Sequence, residues 1–189
     1  MTLIRERLDK ILEKIQSPAF LANKGLGNEI GFYIFDYDPS DELIVREHIA
    51  YLKRALFDGP SSRKVIEFDL YDMMLALLKH EGVLEDLPQI EAEQGSMYIS
   101  EALRDIASPE VYVEQISDQI EGADMVFLTG VGKVWPMVRS HNILNNLHHV
   151  LDKVPVIMFF PGNYDGAELR LFNKLKDDNY YRAFRLIEK

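Results

Sequence analysis

No cysteine occurs among the 189 residues. That absence excludes a disulfide framework, a thiolate metal site, an iron–sulfur cluster and a cysteine nucleophile together. Proline and glycine are sparse, at 8 and 11 residues, while 47% of the chain is hydrophobic, 28% charged and 11% aromatic. Such a composition excludes collagen-like repeats, intrinsic disorder and low-complexity scaffolds. Long hydrophobic runs are also missing. The longest, Val154 to Pro161, falls far short of the roughly 20 residues that a membrane-spanning helix requires. The opening MTLIRERLDKILEKI spreads charges through its apolar positions, where a secretory signal needs an uninterrupted apolar core. A soluble, cytoplasmic protein is expected. The length suits one domain able to bury a core unaided, and no repeat or linker divides it, so residues 1–189 are expected to form a single α/β domain.

Basic charge is in deficit, with 21 Lys and Arg against 31 Asp and Glu for a net charge of −10. This acidic balance disfavours strong nucleic-acid binding by the free chain. The imbalance is local. Between Glu81 and Asp124 there are 12 carboxylates and a single basic residue, Arg104. From Met125 to Leu151 no carboxylate occurs, only Lys133, Arg139 and the histidines His141, His148 and His149. The last segment carries Arg170, Lys174, Lys176, Arg182, Arg185 and Lys189 against Asp177, Asp178 and Glu188.

Apolar spacing gives the elements. Leu3, Ile4, Leu8, Ile11, Leu12 and Ile15 recur at helical intervals up to Ser17-Pro18. The run 30–35 (IGFYIF) reads as a strand buried on both faces, followed by a helix from Asp41 to Phe57 that Gly59-Pro60 ends. A second strand (64–69) leads into a helix from Leu70 to His80, and the acidic middle is helical with breaks at Pro88, Gly95 and Ser108-Pro109. Strand 125–130, a helix from Ser140 to Leu151 and the very apolar strand 154–162, expected at the sheet centre, come next. A short helix from Glu168 to Leu175 and an edge strand over 180–187 complete the chain. Strands alternating with helices predict a three-layer α/β fold with a mainly parallel five-stranded sheet, P-loop or Rossmann-like in architecture. Ligands of such sheets bind at the carboxyl ends of the strands, here Asp36–Ser40, Asp69–Asp72, Thr129–Lys133 and Pro161–Asp165.

Two of these places invite chemistry. Thr129, Gly130, Gly132 and Lys133 form a glycine-containing turn after a strand, a possible phosphate cradle. A Walker A loop, however, needs glycine where Phe127 stands and Ser or Thr where Val134 stands, so the alternative is a tight strand-to-helix turn. Asp36-Tyr37-Asp38 resembles the nucleophile motif of haloacid-dehalogenase-type phosphatases, with Thr129 and Lys153 in suitable order. Asp177-Asp178 follows an expected helix and fits that scheme badly. The competing reading is a turn with Asp38 and Ser40 as helix caps. His141, His148 and His149 have no nearby carboxylate to complete a metal site, so no metal or cofactor is expected. The exposed-loop candidates for protein contact are Trp135, Lys133, Arg139 and His141, and the acidic ones are Glu110, Glu114 and Asp118. Tyr180 to Arg185 mixes aromatic and basic residues, as a contact surface or an edge strand would.

The segments TGVGKVWPMVRSHNILNNL (129–147) and FFPGNYDGAELRLFNKLKDDNYYRAFRL (159–186) make the chain similar to the BrxB family, a component of BREX bacteriophage-exclusion systems. The resemblance extends over nearly the whole chain and brings no catalytic motif. It implies a non-catalytic member of an anti-phage assembly. Expected companions are a PglZ-type hydrolase of the alkaline-phosphatase superfamily as first partner, then a PglX-type methyltransferase and a BrxC-type ATPase. An acidic helical face on an α/β domain is consistent with an adaptor that steers to a basic partner. A Mg²⁺-dependent phosphohydrolase centred on Asp36 and Asp38, and a degenerate nucleotide-binding relative of P-loop ATPases, are the competing expectations.

Overall fold

The computed structural model describes residues 2–22, 31–59, 62–148, 150–151, 154–176 and 183–189. Helices α1 (Thr2–Gln16) and α2 (Pro18–Leu21) precede strand β1 (Phe32–Tyr37), a 3₁₀ turn over Pro39–Asp41 and helix α3 (Glu42–Asp58). Strand β2 (Val65–Asp69) is followed by four helices, α4 (Leu70–His80), α5 (Leu87–Gln94), α6 (Ser96–Ile106) and α7 (Pro109–Gln119). Strand β3 (Met125–Thr129), the short α8 (Val131–Val134) and α9 (Ser140–Leu147) lead to β4 (Val156–Tyr164). Strands β5 (Leu169–Leu171), β6 (Leu175–Lys176) and β7 (Phe184–Arg185) follow.

Five strands run parallel in the order β2-β3-β4-β1-β7, with β4 at the centre and β7 at an edge, as expected. Side chains alternate between the two faces. Phe32, Ile34, Val126, Leu128, Met158 and Phe160 point into one core, shared with α4, α7 and α9. Tyr33, Phe35, Phe127, Ile157 and Phe159 point into the other, shared with α1 and α3. Burial of each such large side chain contributes about 1.5–3 kcal/mol, and this double burial explains the unbroken apolar runs. Handedness sets which helices cover which face. The β1-to-β2 crossover and the steps from β2 through β3 to β4 travel in opposite directions along the sheet. Right-handed connections therefore place α3 on one side and α4 to α9 on the other. The reversal falls between β1 and β4.

Several expectations are corrected. Strand β1 ends two residues beyond the expected 30–35, so Asp36 and Tyr37 lie inside it, and α9 stops at Leu147 instead of Leu151. The expected helix from Glu168 to Leu175 is instead the antiparallel pair β5 and β6, joined through Phe172 and Asn173 at positive φ. The cause is tertiary. Strand β4 outruns its parallel neighbours, and the backbone of Gly162–Tyr164 pairs with Leu169–Leu171, a partner that the local sequence does not reveal. Phe172 holds its left-handed φ of 55° while its ring lies over Gly132, where a Cβ would come within 2.9 Å. Ile30, Pro60, His149, Lys153, Asp177, Asp178 and Tyr180 to Arg182, which figure in the expectations above, lie outside the described residues.

Candidate functional site

At the carboxyl ends of β1, β2 and β3, a cleft of about 570 Å³ opens beside α3, α4 and α7. Its polar wall is internally paired. Glu67 on β2 accepts hydrogen bonds from Lys53 Nζ at 2.5 Å and Thr129 Oγ1 at 2.9 Å. Asp69 accepts from Lys133 Nζ at 2.5 Å with one oxygen and from the Tyr71 and Asp72 backbone N–H groups with the other. The second set caps α4. Tyr37 donates to Glu42 at 2.6 Å, and burial together with that carboxylate pushes its hydroxyl well above the ordinary range, so it stays a donor. Gly130, at φ +72°, leaves room for the Asp69 carboxylate, since a Cβ there would lie 2.1 Å from Asp69 Oδ1. The glycines of the expected phosphate cradle thus serve packing: Gly130 admits Asp69 and Gly132 admits Phe172. Lys133 reaches across to Asp69 and stacks 5.4 Å from the Tyr71 ring.

Asp36 and Asp38 are separated by their surroundings. Asp36 is fully buried and receives Arg7 at 2.9 Å on Oδ1, with Lys189 Nζ at 2.9 Å and the Tyr164 backbone N–H at 3.0 Å on Oδ2. Arg7 also donates to the carbonyls of Asp36 and Ile187. The strand-order reversal between β1 and β4, the usual ligand crevice of such sheets, is thereby occupied by an ion cluster that ties α1 and the 185–189 segment to the sheet. Asp38 is exposed and accepts from both the Ser40 hydroxyl and its N–H. Those bonds hold its carboxyl below the ordinary range. It is the cap that the turn reading expects.

The protein-contact candidates divide. Glu110, Glu114 and Asp118 project from α7 at four-residue intervals, all exposed and without an ion-pair partner among the described residues. The buried Tyr112 anchors that helix by donating to the Leu70 carbonyl at 2.8 Å. Trp135, 40% exposed, and Arg139 line a groove with Lys174. His141 is buried, which removes it from the surface to which the sequence assigns it. His148 packs its ring against Phe32, tilted, at 4.1 Å between centroids, and no group of His, Asp and Glu able to hold a metal occurs among the described residues. Sequence reasoning passes over Glu67, Lys53 and Arg7. Arg7 was detectable, because it falls between Ile4 and Ile11 on the apolar face of α1, where a cation needs a buried partner.

Known proteins resemble both this region and the chain as a whole. The model of the family described as BREX protein BrxB matches residues 66–186. The chain belongs to the BrxB family. A BREX protein BrxB from Bacillus cereus (strain H3081.97) is 54% identical over the full length of both chains. Another, from Escherichia coli O9:H4 (strain HS), is 36% identical over 98% of this chain and 92% of that one. No solved structure matches significantly. The family match spans both the α7 carboxylates and the Trp135 loop, while Arg7 and Asp36 fall outside it. Among the described residues, no helix is long and apolar enough to cross a membrane.

Proposed function

We propose that this BrxB-family chain acts in BREX phage defence as a non-catalytic adaptor that docks a basic surface of a PglZ-type hydrolase on α7. A PglX-type methyltransferase or a BrxC-type ATPase would join the assembly through other faces. The observation that carries the reading is the exposed row Glu110, Glu114 and Asp118. Like charges four residues apart each cost a helix about 0.2–0.5 kcal/mol, so the row weakens the free chain and is relieved when a cationic partner covers it. The pairing of Asp36, Glu67 and Asp69 with cations and backbone donors inside the protein supports the same reading. Those carboxylates already perform structural tasks.

The test is size-exclusion chromatography with light scattering of the chain mixed with its cognate PglZ-type protein at rising salt. A stoichiometric complex that weakens with salt and is lost in the Glu110→Lys/Glu114→Lys/Asp118→Lys variant is expected. Separate peaks at low salt would refute the partner. A complex indifferent to the triple substitution would remove α7 from it.

A further inference from the structure

Helices α5 and α6 meet at Gly95, whose φ of +87° turns the chain sharply between them. Neither is well covered by the rest of the protein. No residue of α5 is buried, and of α6 only Leu103 is. Between them lies an apolar groove of about 460 Å³ with Leu87, Ile90, Ile99 and Ile106 in its walls. Tyr98 stands at its edge, 53% exposed, beside Met97 at 76%. The wall residues Leu87, Ile99 and Ile106 are half-buried against the main core, and an open concavity of this volume with mostly apolar walls has the form of a binding site. The rim has one sign of charge. Glu93 is the charged residue in the groove wall, and Glu91, Glu101 and Asp105 are exposed elsewhere on the same two helices. None of the four has an ion-pair partner among the described residues, and Arg104 is the only cation between Glu81 and Ile106.

We propose that this groove seats an amphipathic helix of a partner protein, with leucine-like anchors facing the floor and lysines or arginines facing the rim. The inference rests on the adaptor reading and gives the chemistry of a docked segment. The shape fits helix-in-groove recognition, in which anchors at i, i+3 or i+4 and i+7 enter an apolar channel. Charge selects the occupant. A second copy of this chain, at net charge −10, meets the acidic rim with like charge, whereas a cationic helix is drawn to it and its flanking charges fix its register.

The probe is a fluorescently labelled peptide of leucine and lysine only, with the leucines along one helical face, and a counterpart with glutamate for lysine. Fluorescence anisotropy should show saturable binding of the leucine–lysine peptide. It should weaken about tenfold in Tyr98→Ala, as expected for loss of an aromatic anchor, and similarly in Glu93→Lys/Glu101→Lys. These positions are on the surface, and unchanged circular dichroism verifies the fold. The Leu43→Ala variant, altered at an exposed residue of α3 away from the groove, should bind as the parent does. Equal binding by the groove variants, equal binding of the leucine–glutamate peptide, or a dimer of the free chain that Tyr98→Ala dissociates would each overturn the proposal. The two readings separate cleanly. Peptide binding without a hydrolase complex refutes that partner and leaves the groove standing, while a hydrolase complex without peptide binding refutes the groove alone.

Discussion

Among the described residues, Asp36 is the one buried carboxylate. Its carboxylate is fully buried, with Arg7 and Lys189 within 2.9 Å and the Tyr164 N–H at 3.0 Å. A buried charge is tolerable only when its lone pairs are satisfied, and here three donors from three distant segments do so. Removing one partner of such a pair costs about 3–5 kcal/mol, because the other charge stays behind in the interior. Asp36→Asn is therefore expected to lose about 3 kcal/mol, which for a chain of this size lowers the melting temperature by roughly 6–12 °C. Thermal unfolding followed by circular dichroism measures it. A stability unchanged by this substitution would mean that the ion cluster is not formed in solution. The phosphohydrolase reading makes the opposite forecast, a stable protein that loses turnover.

At the scale of the helix, the sequence of α7 runs against its own stability. Tyr112 and Ile116 hold it to the core, while Glu110, Glu114 and Asp118 line its outer side. Glu114 repels a carboxylate on each side, one turn away. Glu114→Gln should stabilise the free chain by about 0.5 kcal/mol and at the same time weaken the salt-sensitive complex with the hydrolase. Urea unfolding and chromatography together check the pair of effects, and a destabilised variant would show that the row is not repulsive. The acidic row was legible from the sequence because four-residue spacing is local information, as was the central place of β4, whose run of apolar residues suits burial on both faces. The β5 and β6 pair was not. Leu169 and Leu171 alternate like a strand, yet Leu171 and Leu175 are spaced like a helix, and seven residues cannot decide between the periods. The extension of β4 decides it, and that lies in the tertiary structure. The same holds for the glycine turn at Gly130, where the residue types allow a phosphate cradle and only the position of Asp69 shows what fills the space.

Taken as a whole, the molecule joins a carboxylate-rich helical half to a sheet whose own charges are paired, and its response to acid follows from where protons are refused. His48 on α3 faces α1, beside Arg5, Asp9, Glu47 and Tyr51. Burial holds its imidazole below the ordinary value, against the opposing pull of Asp9. The unfolded chain accepts that proton at about pH 6.5, while the folded chain accepts it only at lower pH. Between the two values the unfolded state binds more protons, so stability falls as pH drops below about 6.5. A second loss follows. Asp38, Asp165 and Glu168 are held below the ordinary carboxylate range by hydrogen bonds from Ser40, from the Ala167 and Glu168 N–H groups, and from Lys176 and Arg170 respectively. Their contribution is complete above about pH 4.3, the upper unfolded value, and is lost as pH falls through their folded values. Urea midpoints measured from pH 8 to pH 3 should then show a plateau, a first decline starting near pH 6.5 and a steeper one below about pH 4.3. His48→Gln should abolish the first decline and leave the second. A first decline that survives the substitution would assign the early proton uptake to another group and take His48 out of the acid response.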